Sequence, residues 1–134
     1  MTTFGAIGIA STGMTVHRKW LDAVSDNLAN QNTVRGTDEE AYRAKYVVAT
    51  EIGSASGGGV QVAGIALGSA EGRMVYEPTH PLADEDGYVK YPDVDMASQM
   101  TQLIIAQRGY QANAAVVDRA KASYEAALQI GRTS

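Results

Sequence analysis

The 134-residue sequence has no cysteine, one tryptophan, one phenylalanine and three prolines. The lack of cysteine excludes a disulfide framework and thiolate chemistry. A large aromatic core is excluded as well, because much of the 45% apolar fraction is alanine and valine. No apolar run approaches the ~20 residues that a membrane-spanning helix needs. The length suits one modest domain.

An excess of positive charge is also missing. The net charge of −4 argues against nucleic acid or an anionic membrane surface as a partner. Residues 51–95 carry two basic and eight acidic groups, and residues 96–134 carry four basic and two acidic groups. The simplest interpretation is a solvated acidic face, and the alternative is attraction between the middle of one copy and the ends of another. Residues 1–20 match a cleavable signal peptide poorly, because they lack a basic start and glycines break their apolar run.

Patterns of catalysis and ligand binding are absent from the sequence. His17 and His80 have no neighbour at metal-ligand spacing, so we place His17 on a helix surface and His80 in a rigid turn. The acidic run at residues 84–87 fails the EF-hand pattern, which would begin at Leu82 and end at Asp93, and a hairpin turn explains it better. We therefore predict that the protein is not an enzyme and binds no metal, cofactor or small-molecule substrate.

What the sequence does contain is an apolar stripe near each end. Positions that step alternately by three and four, and so lie along one side of a helix, are mostly apolar in both segments. The first stripe consists of Phe4, Ile7, Met14, Leu21 and Leu28. The second includes Met96, Met100, Leu103, Tyr110, Val117, Tyr124 and Leu128. Asp93 or Asp95 should cap the second helix after Pro92, and Gly131 should end it.

The segment between the stripes has the composition of strands. Residues 41–50, 60–67, 72–78 and 87–92 are four short candidates, and the slip in alternation at Gly64 predicts a bulge. We predict a mainly α fold with a small β part, in which long terminal amphipathic helices pair as an antiparallel coiled coil around a β-rich insertion. The predicted division is residues 1–36, 37–92 and 93–134.

A small sheet cannot cover two long helices, so part of each stripe should stay exposed. Burying one Leu or Met is worth about 1.5–3 kcal/mol, so an exposed stripe of several such residues strongly favours a partner that covers it. A continuous apolar stripe on a monomer is therefore an interaction surface or an aggregation liability. The alternative is that both stripes bury in an ordinary three-layer core, and spacing alone leaves both open.

Four short motifs occur in order along the chain. Residues 29–33 read Ala-Asn-Gln-Asn-Thr, and residues 59–65 read Gly-Val-Gln-Val-Ala-Gly-Ile. They resemble the Ala-Asn-x-Asn-Thr sequence that closes the N-terminal helix, and the Gly-Val-x-Val-x-x-Ile strand that follows it, in the bacterial flagellar axial proteins, the rod and hook proteins. Residues 76–95 resemble the Pro-x-His-Pro-x-Ala segment and its Gly-Tyr-Val continuation in proximal-rod members. Residues 108–113 fit an Arg-x-Tyr-x-Ala-Asn element.

The chain departs from the family pattern at residues 39–45, where a Gly-Gly-Pro-Tyr-Arg-Arg-Lys segment is replaced, and at Gly109 and Gln111. Its short length favours the proximal rod over the hook and distal rod. The three amides of residues 30–32 are expected to be buried at contacts between copies, where they satisfy the last helix carbonyls or the backbone of a neighbour. Asn also tolerates the left-handed turn that redirects the chain toward the sheet.

The resemblance implies a structural subunit of the proximal rod, which polymerises into a helical tube that transmits torque and serves as the export channel. It places the chain in a basal-body rod that crosses the periplasm, exported without a cleaved signal. The implied partners are copies of itself and other proximal and distal rod proteins, with the export gate, rod-base adaptor and inner-membrane ring as further candidates. The alternatives are another secreted helical-filament subunit or a small non-enzymatic helical-hairpin binding module.

The expected subunit interface combines the two stripes with the amides. Its residues are Phe4, Ile7, Met14, Leu21, Leu28, Asn30, Asn32, Thr33, Met100, Leu103, Tyr110, Asn113, Val117, Tyr124 and Leu128.

Overall fold

The computed structural model describes residues 3–132, so residues 1–2 and 133–134 of the predicted terminal ranges lie outside it. The fold is mainly α with a small β part, as predicted. Its α-helices and strands are α1 (Thr3–Asn30), β1 (Lys45–Glu51), β2 (Val60–Leu67), β3 (Arg73–Tyr76), β4 (Tyr88–Tyr91) and α2 (Met96–Arg132), and a 3₁₀ helix, Ser54–Ser56, lies between β1 and β2.

The two helices pack side by side and antiparallel. The ring of Phe4, near the start of α1, lies 5.4 Å from the ring of Tyr124, near the end of α2. Further along α1, the indole N–H of Trp20 donates to Gln102 Oε1 at 3.3 Å. Helix α2 has 37 residues against 28 in α1, and it continues to Arg132, so the predicted stop at Gly131 is wrong. A glycine costs a helix only about 1 kcal/mol relative to alanine, which is too little to end it by itself.

Side-chain caps define the adjoining ends of the helices. The carboxylate of Asp95 accepts the Ser98 N–H at 2.8 Å, which confirms one of the two predicted caps of α2. At the end of α1, Asn30 Nδ2 donates to the carbonyl of Asp26 at 2.9 Å. The predicted left-handed Asn is wrong, because every positive φ in the described residues belongs to glycine. The chain turns instead through a hydrogen bond from the Thr33 N–H to Asn30 O at 3.0 Å.

The four strands form two separate antiparallel hairpins, β1–β2 and β3–β4. In the first hairpin Val48 pairs with Gly64 and Ala49 pairs with Val62, so Ala63 is left over as a bulge. This bulge lies beside the glycine at which the sequence predicted one. Hairpin β1–β2 packs against α1, and the β3–β4 hairpin leads directly into α2.

The core consists of small side chains. Apart from Pro92, the buried apolar side chains of the described residues are Ala10, Val16, Ala23, Val24, Ala41, Ala44, Val89 and Ala106. Several members of the predicted stripes are instead exposed, including Phe4 at 67% and Leu128 at 50%. The alternative in which both stripes fill an ordinary core is therefore wrong. Apart from the Phe4–Tyr124 pair and Trp20, the helices approach each other mainly through small and polar residues, next to the stripes.

Candidate subunit interface

The stripe of α1 faces away from the β1–β2 hairpin. Thr12 is on the hairpin side, because its hydroxyl accepts the Val60 N–H at 3.1 Å. Met14 follows two residues later, and such a step turns about 200° around a helix. Met14 accordingly lines a shallow groove with Tyr110 of α2 on a face that the hairpin does not cover.

The structure brings the two predicted stripes to this same face of the helix pair. We call it the apolar face. Its half-buried members are Ile7, Met14, Leu21, Leu28, Leu103, Tyr110 and Val117. Its exposed members are Phe4, Met100, Tyr124 and Leu128. Asn113 is half-buried too, but it lies in the seam between the helices, against Gly13.

The exposed area of the chain is large for its mass. The surface measures 8842 Å², whereas a folded monomer of 14.2 kDa exposes about 6,800 Å² on average. The excess of roughly 2,000 Å² exceeds the ~800 Å² that one partner contributes to a standard interface. The area is sufficient for contacts with more than one neighbour.

The amides that follow α1 differ in their surroundings. Asn30 is half-buried, donates to the helix carbonyl of Asp26, and its Oδ1 accepts the hydroxyl of Thr33 at 3.1 Å. Asn32 is exposed and lines a surface cavity with Asp93, at the junction of the two helices. The expected satisfaction of helix carbonyls therefore holds for Asn30, and contacts between copies at Asn30, Asn32 and Thr33 stay a prediction.

Sequence reasoning missed the most buried amide, Asn27, which is fully inaccessible to solvent. Its Nδ2 donates to Lys45 O at 2.9 Å and to Gln99 Oε1 at 3.0 Å, while its Oδ1 accepts the Lys45 N–H at 2.7 Å and the Tyr42 hydroxyl at 3.1 Å. Both donors and both acceptor positions of the amide are thus used. Asn27 joins α1, the first residue of β1 and α2. We call this set of bonds the Asn27 clamp.

The signal in the sequence that could have indicated a buried Asn27 is its position directly before Leu28 of the stripe. Burial raises the pKa of the Tyr42 hydroxyl beside it, and this hydroxyl donates its hydrogen bond to Asn27 Oδ1. The hydrogen bond with Asp26 raises the pKa of Lys45, whose ion pair with Asp26 is exposed and adds little stability.

His17 lies between the helices and is half-buried, so its predicted position on the helix surface is wrong. His80 occupies a turn, as predicted, where its Nδ1 accepts the Leu82 N–H at 3.1 Å. In the same loop the Asp84 carboxylate accepts the Tyr88 N–H at 2.8 Å, and this bond contributes most to holding the pKa of Asp84 below its ordinary value. The acidic run therefore builds the turn of the β3–β4 hairpin.

Neither described helix has an apolar stretch long enough to cross a membrane. Within residues 3–132, no three His, Asp or Glu side chains are grouped as ligands for a metal ion.

Comparison with known proteins identifies the family. Residues 85–130 match the family described as flagellar basal body rod FlgEFG protein C-terminal. The flagellar basal-body rod protein FlgC of Escherichia coli O6:H1 is 38% identical over 98% of this chain and 100% of that protein. The proteins of that name from Borreliella burgdorferi and Bacillus subtilis are 32% and 31% identical, over 97% and 98% of this chain and 98% and 100% of those proteins.

The chain belongs to the FlgC family of flagellar basal-body rod proteins. The predicted resemblance and the predicted role as a structural subunit of the rod are confirmed. The members of the FlgC family are structural proteins. Membership implies that the chain assembles with copies of itself and with other components of the flagellar basal body. The segment that matches the C-terminal rod family contains β4 and most of α2, including six of the eleven members of the apolar face.

Proposed function

We propose that the chain is a proximal-rod subunit that polymerises into a hollow helical tube, which transmits torque and encloses the export channel. The observation that carries this proposal is the apolar face, which both helices form and whose members the rest of the described chain leaves half-buried or exposed. Such a surface requires neighbours, because the buried apolar side chains of the described residues are only alanine, valine and proline. Torque then passes through packed contacts without any chemistry.

The contacts between copies are heterologous, so they propagate along a helix and do not close into a ring. The apolar face supplies the interface in this proposal, together with Asn30, Asn32 and Thr33 at the end of α1 and with Asn113 in the seam between the helices. Residues 1–36 and 93–134 form the inner helical domain of the tube, and residues 37–92 form an outer β-rich part that sets the spacing of neighbours.

The free subunit should be marginally stable, because its large apolar side chains stay in contact with solvent until neighbouring subunits cover them. This property suits export in an unfolded state, without a cleaved signal, into a rod that crosses the periplasm. The partners in this proposal are copies of the chain, other proximal and distal rod proteins, and the export gate, rod-base adaptor and inner-membrane ring.

Two charge substitutions in α2 test the proposal. Leu128 and Ala126 are both exposed in the subunit and stand two residues apart, on opposite sides of the helix. In a strain that lacks the chain, a gene with Leu128→Asp should fail to restore basal-body rods and swimming, whereas Ala126→Asp should restore them. Rods built normally with Leu128→Asp would contradict the proposed interface. A deletion strain that swims would contradict the role in the rod.

Two other functions predict different behaviour of the purified chain. A helical-hairpin binding module would be a well-folded monomer or dimer in gel filtration, whereas a rod subunit should be a loosely folded monomer or a polymer. A subunit of another secreted filament would polymerise too, but it would be absent from isolated flagellar basal bodies.

A further inference from the structure

In the seam between the helices, Gly13 of α1 and Gly109 of α2 each leave space for a side chain of the opposite helix. We call these two spaces the glycine notches. A Cβ atom added to Gly13 of α1 would stand 2.7 Å from Oδ1 of Asn113, closer than real Cβ contacts occur. A Cβ added to Gly109 of α2 would overlap the imidazole ring of His17. Each helix therefore receives a polar side chain of the other helix at a position where only glycine leaves room.

Each inserted side chain is fixed by its own helix. The Nδ1–H of His17 donates to the carbonyl of Gly13 at 2.8 Å, and Nδ2 of Asn113 donates to the carbonyl of Gly109 at 2.8 Å. The two helices thus carry the same arrangement, a glycine followed four residues later by a polar side chain that bonds back to it. Antiparallel packing places each polar group in the opposite notch.

This arrangement defines one register. A shift of α2 by one turn would move both polar side chains off the glycines and onto larger neighbours, which a close-packed seam does not accommodate. The large residues of the apolar face lack this selectivity, since any apolar stripe can cover another. The departure from the family pattern at Gly109 has a physical reason here, because the ring of His17 occupies the space of a side chain.

We propose that the two glycine notches are the specificity determinant that pairs α1 with α2 of the same chain. The inference rests on the proposed function, in which helices from many copies lie side by side and present similar apolar stripes. Shape and polarity at the notches then distinguish the correct partner from a neighbour's helix.

Glycine-to-alanine substitutions provide the first test, because the same change can be made at matched positions. Nothing lies within 4 Å of a Cβ added to Gly8 of α1 or Gly131 of α2. Gly8→Ala and Gly131→Ala should therefore leave rod yield unchanged, since alanine only favours the helix. Gly13→Ala and Gly109→Ala should lower the number of complete rods roughly tenfold or more, because they overfill the seam. Equal yields from all four variants would overturn the proposal.

Rescue across the seam provides the second test. His17→Ala should restore rods to Gly109→Ala, and Asn113→Ala should restore them to Gly13→Ala, because each removes the group that the new methyl overlaps. The exchanged combinations, Gly109→Ala with Asn113→Ala and Gly13→Ala with His17→Ala, should not recover. Rescue by the exchanged combinations, or by none, would overturn the reciprocal pairing.

The same variants of the purified chain, folded with trimethylamine N-oxide and followed by Trp20 fluorescence, give a readout that does not depend on the rod. Cross-seam rescue in this assay with a deletion strain that swims would refute the proposed function and leave the helix pairing intact. An absence of cross-seam rescue in this assay would overturn the notch proposal even if the chain is a rod subunit.

Discussion

Truncation of the buried amide in the Asn27 clamp should cost the subunit a large part of its stability. Asn27→Ala removes four hydrogen bonds and leaves the backbone N–H and C=O of Lys45, the Tyr42 hydroxyl and the amide of Gln99 without their partner. Gln99 is only 2% exposed, so water cannot readily replace the lost bond there. The two helices and the β1–β2 hairpin should loosen together, because the clamp touches all three.

The magnitude follows from the count of bonds. A typical intramolecular hydrogen bond contributes about 0.5–1.5 kcal/mol net, so four contribute about 2–6 kcal/mol. Alanine is a better helix former than asparagine by roughly 0.5 kcal/mol, which offsets a small part. We expect Asn27→Ala to lower the free energy of unfolding by about 2–5 kcal/mol, a large fraction of the ~5–15 kcal/mol of a typical domain.

The assay is a urea titration of the purified chain in trimethylamine N-oxide, which favours the folded state. Trp20 is the single tryptophan and contacts Gln102 across the seam, so its fluorescence reports helix pairing. Asn32→Ala is the matched control, since this amide is exposed, and its effect should stay within about 0.5 kcal/mol. Equal effects of the two substitutions would refute the reasoning.

Three further perturbations address the interface, the hairpin contact and the acidic turn. Leu128→Ala should weaken subunit addition by about 1–3 kcal/mol while leaving the free subunit unchanged, because Leu128 is half exposed there; a normal yield of isolated basal bodies would contradict this. Thr12→Val removes the acceptor of the Val60 N–H and should speed its hydrogen exchange severalfold; unchanged protection would refute the contact. The backbone hydrogen bonds that lower the pKa of Asp84 stabilise the hairpin at pH values above 3.8, the ordinary pKa of this group. This stabilisation is lost as the pH falls through the lowered pKa of the folded state. The Tyr88 amide NMR signal should therefore shift on acidification, and the shift should vanish in Asp84→Ala.

The sequence predicted the order of the elements because each carries its own local signal. The apolar periodicity marked both helices, Asp95 marked the start of α2, and the broken alternation at Gly64 marked the bulge. These features depend on neighbours along the chain, so one sequence was sufficient to find them.

The sequence did not predict which side of each helix faces the other. The largest apolar residues suggested a seam, but the helices meet instead through Gly13, Gly109, Asn27 and Gln99. Close approach of two backbones favours small residues, and a hydrogen-bonded amide is accepted in a core once all its groups are satisfied. Neither condition leaves a mark in hydrophobic periodicity. The role of His17 was hidden for the same reason, since it depends on a glycine 92 positions away.

An electron-microscopy map of isolated basal bodies, with this chain traced in the rod, tests the central claim most directly. We predict that the apolar face, including Met14, Tyr110 and Leu128, is covered by helices of neighbouring subunits. We also predict that α1 of each copy pairs with its own α2 through the glycine notches. A rod in which this face is open to solvent, or lines an empty channel, would contradict the account.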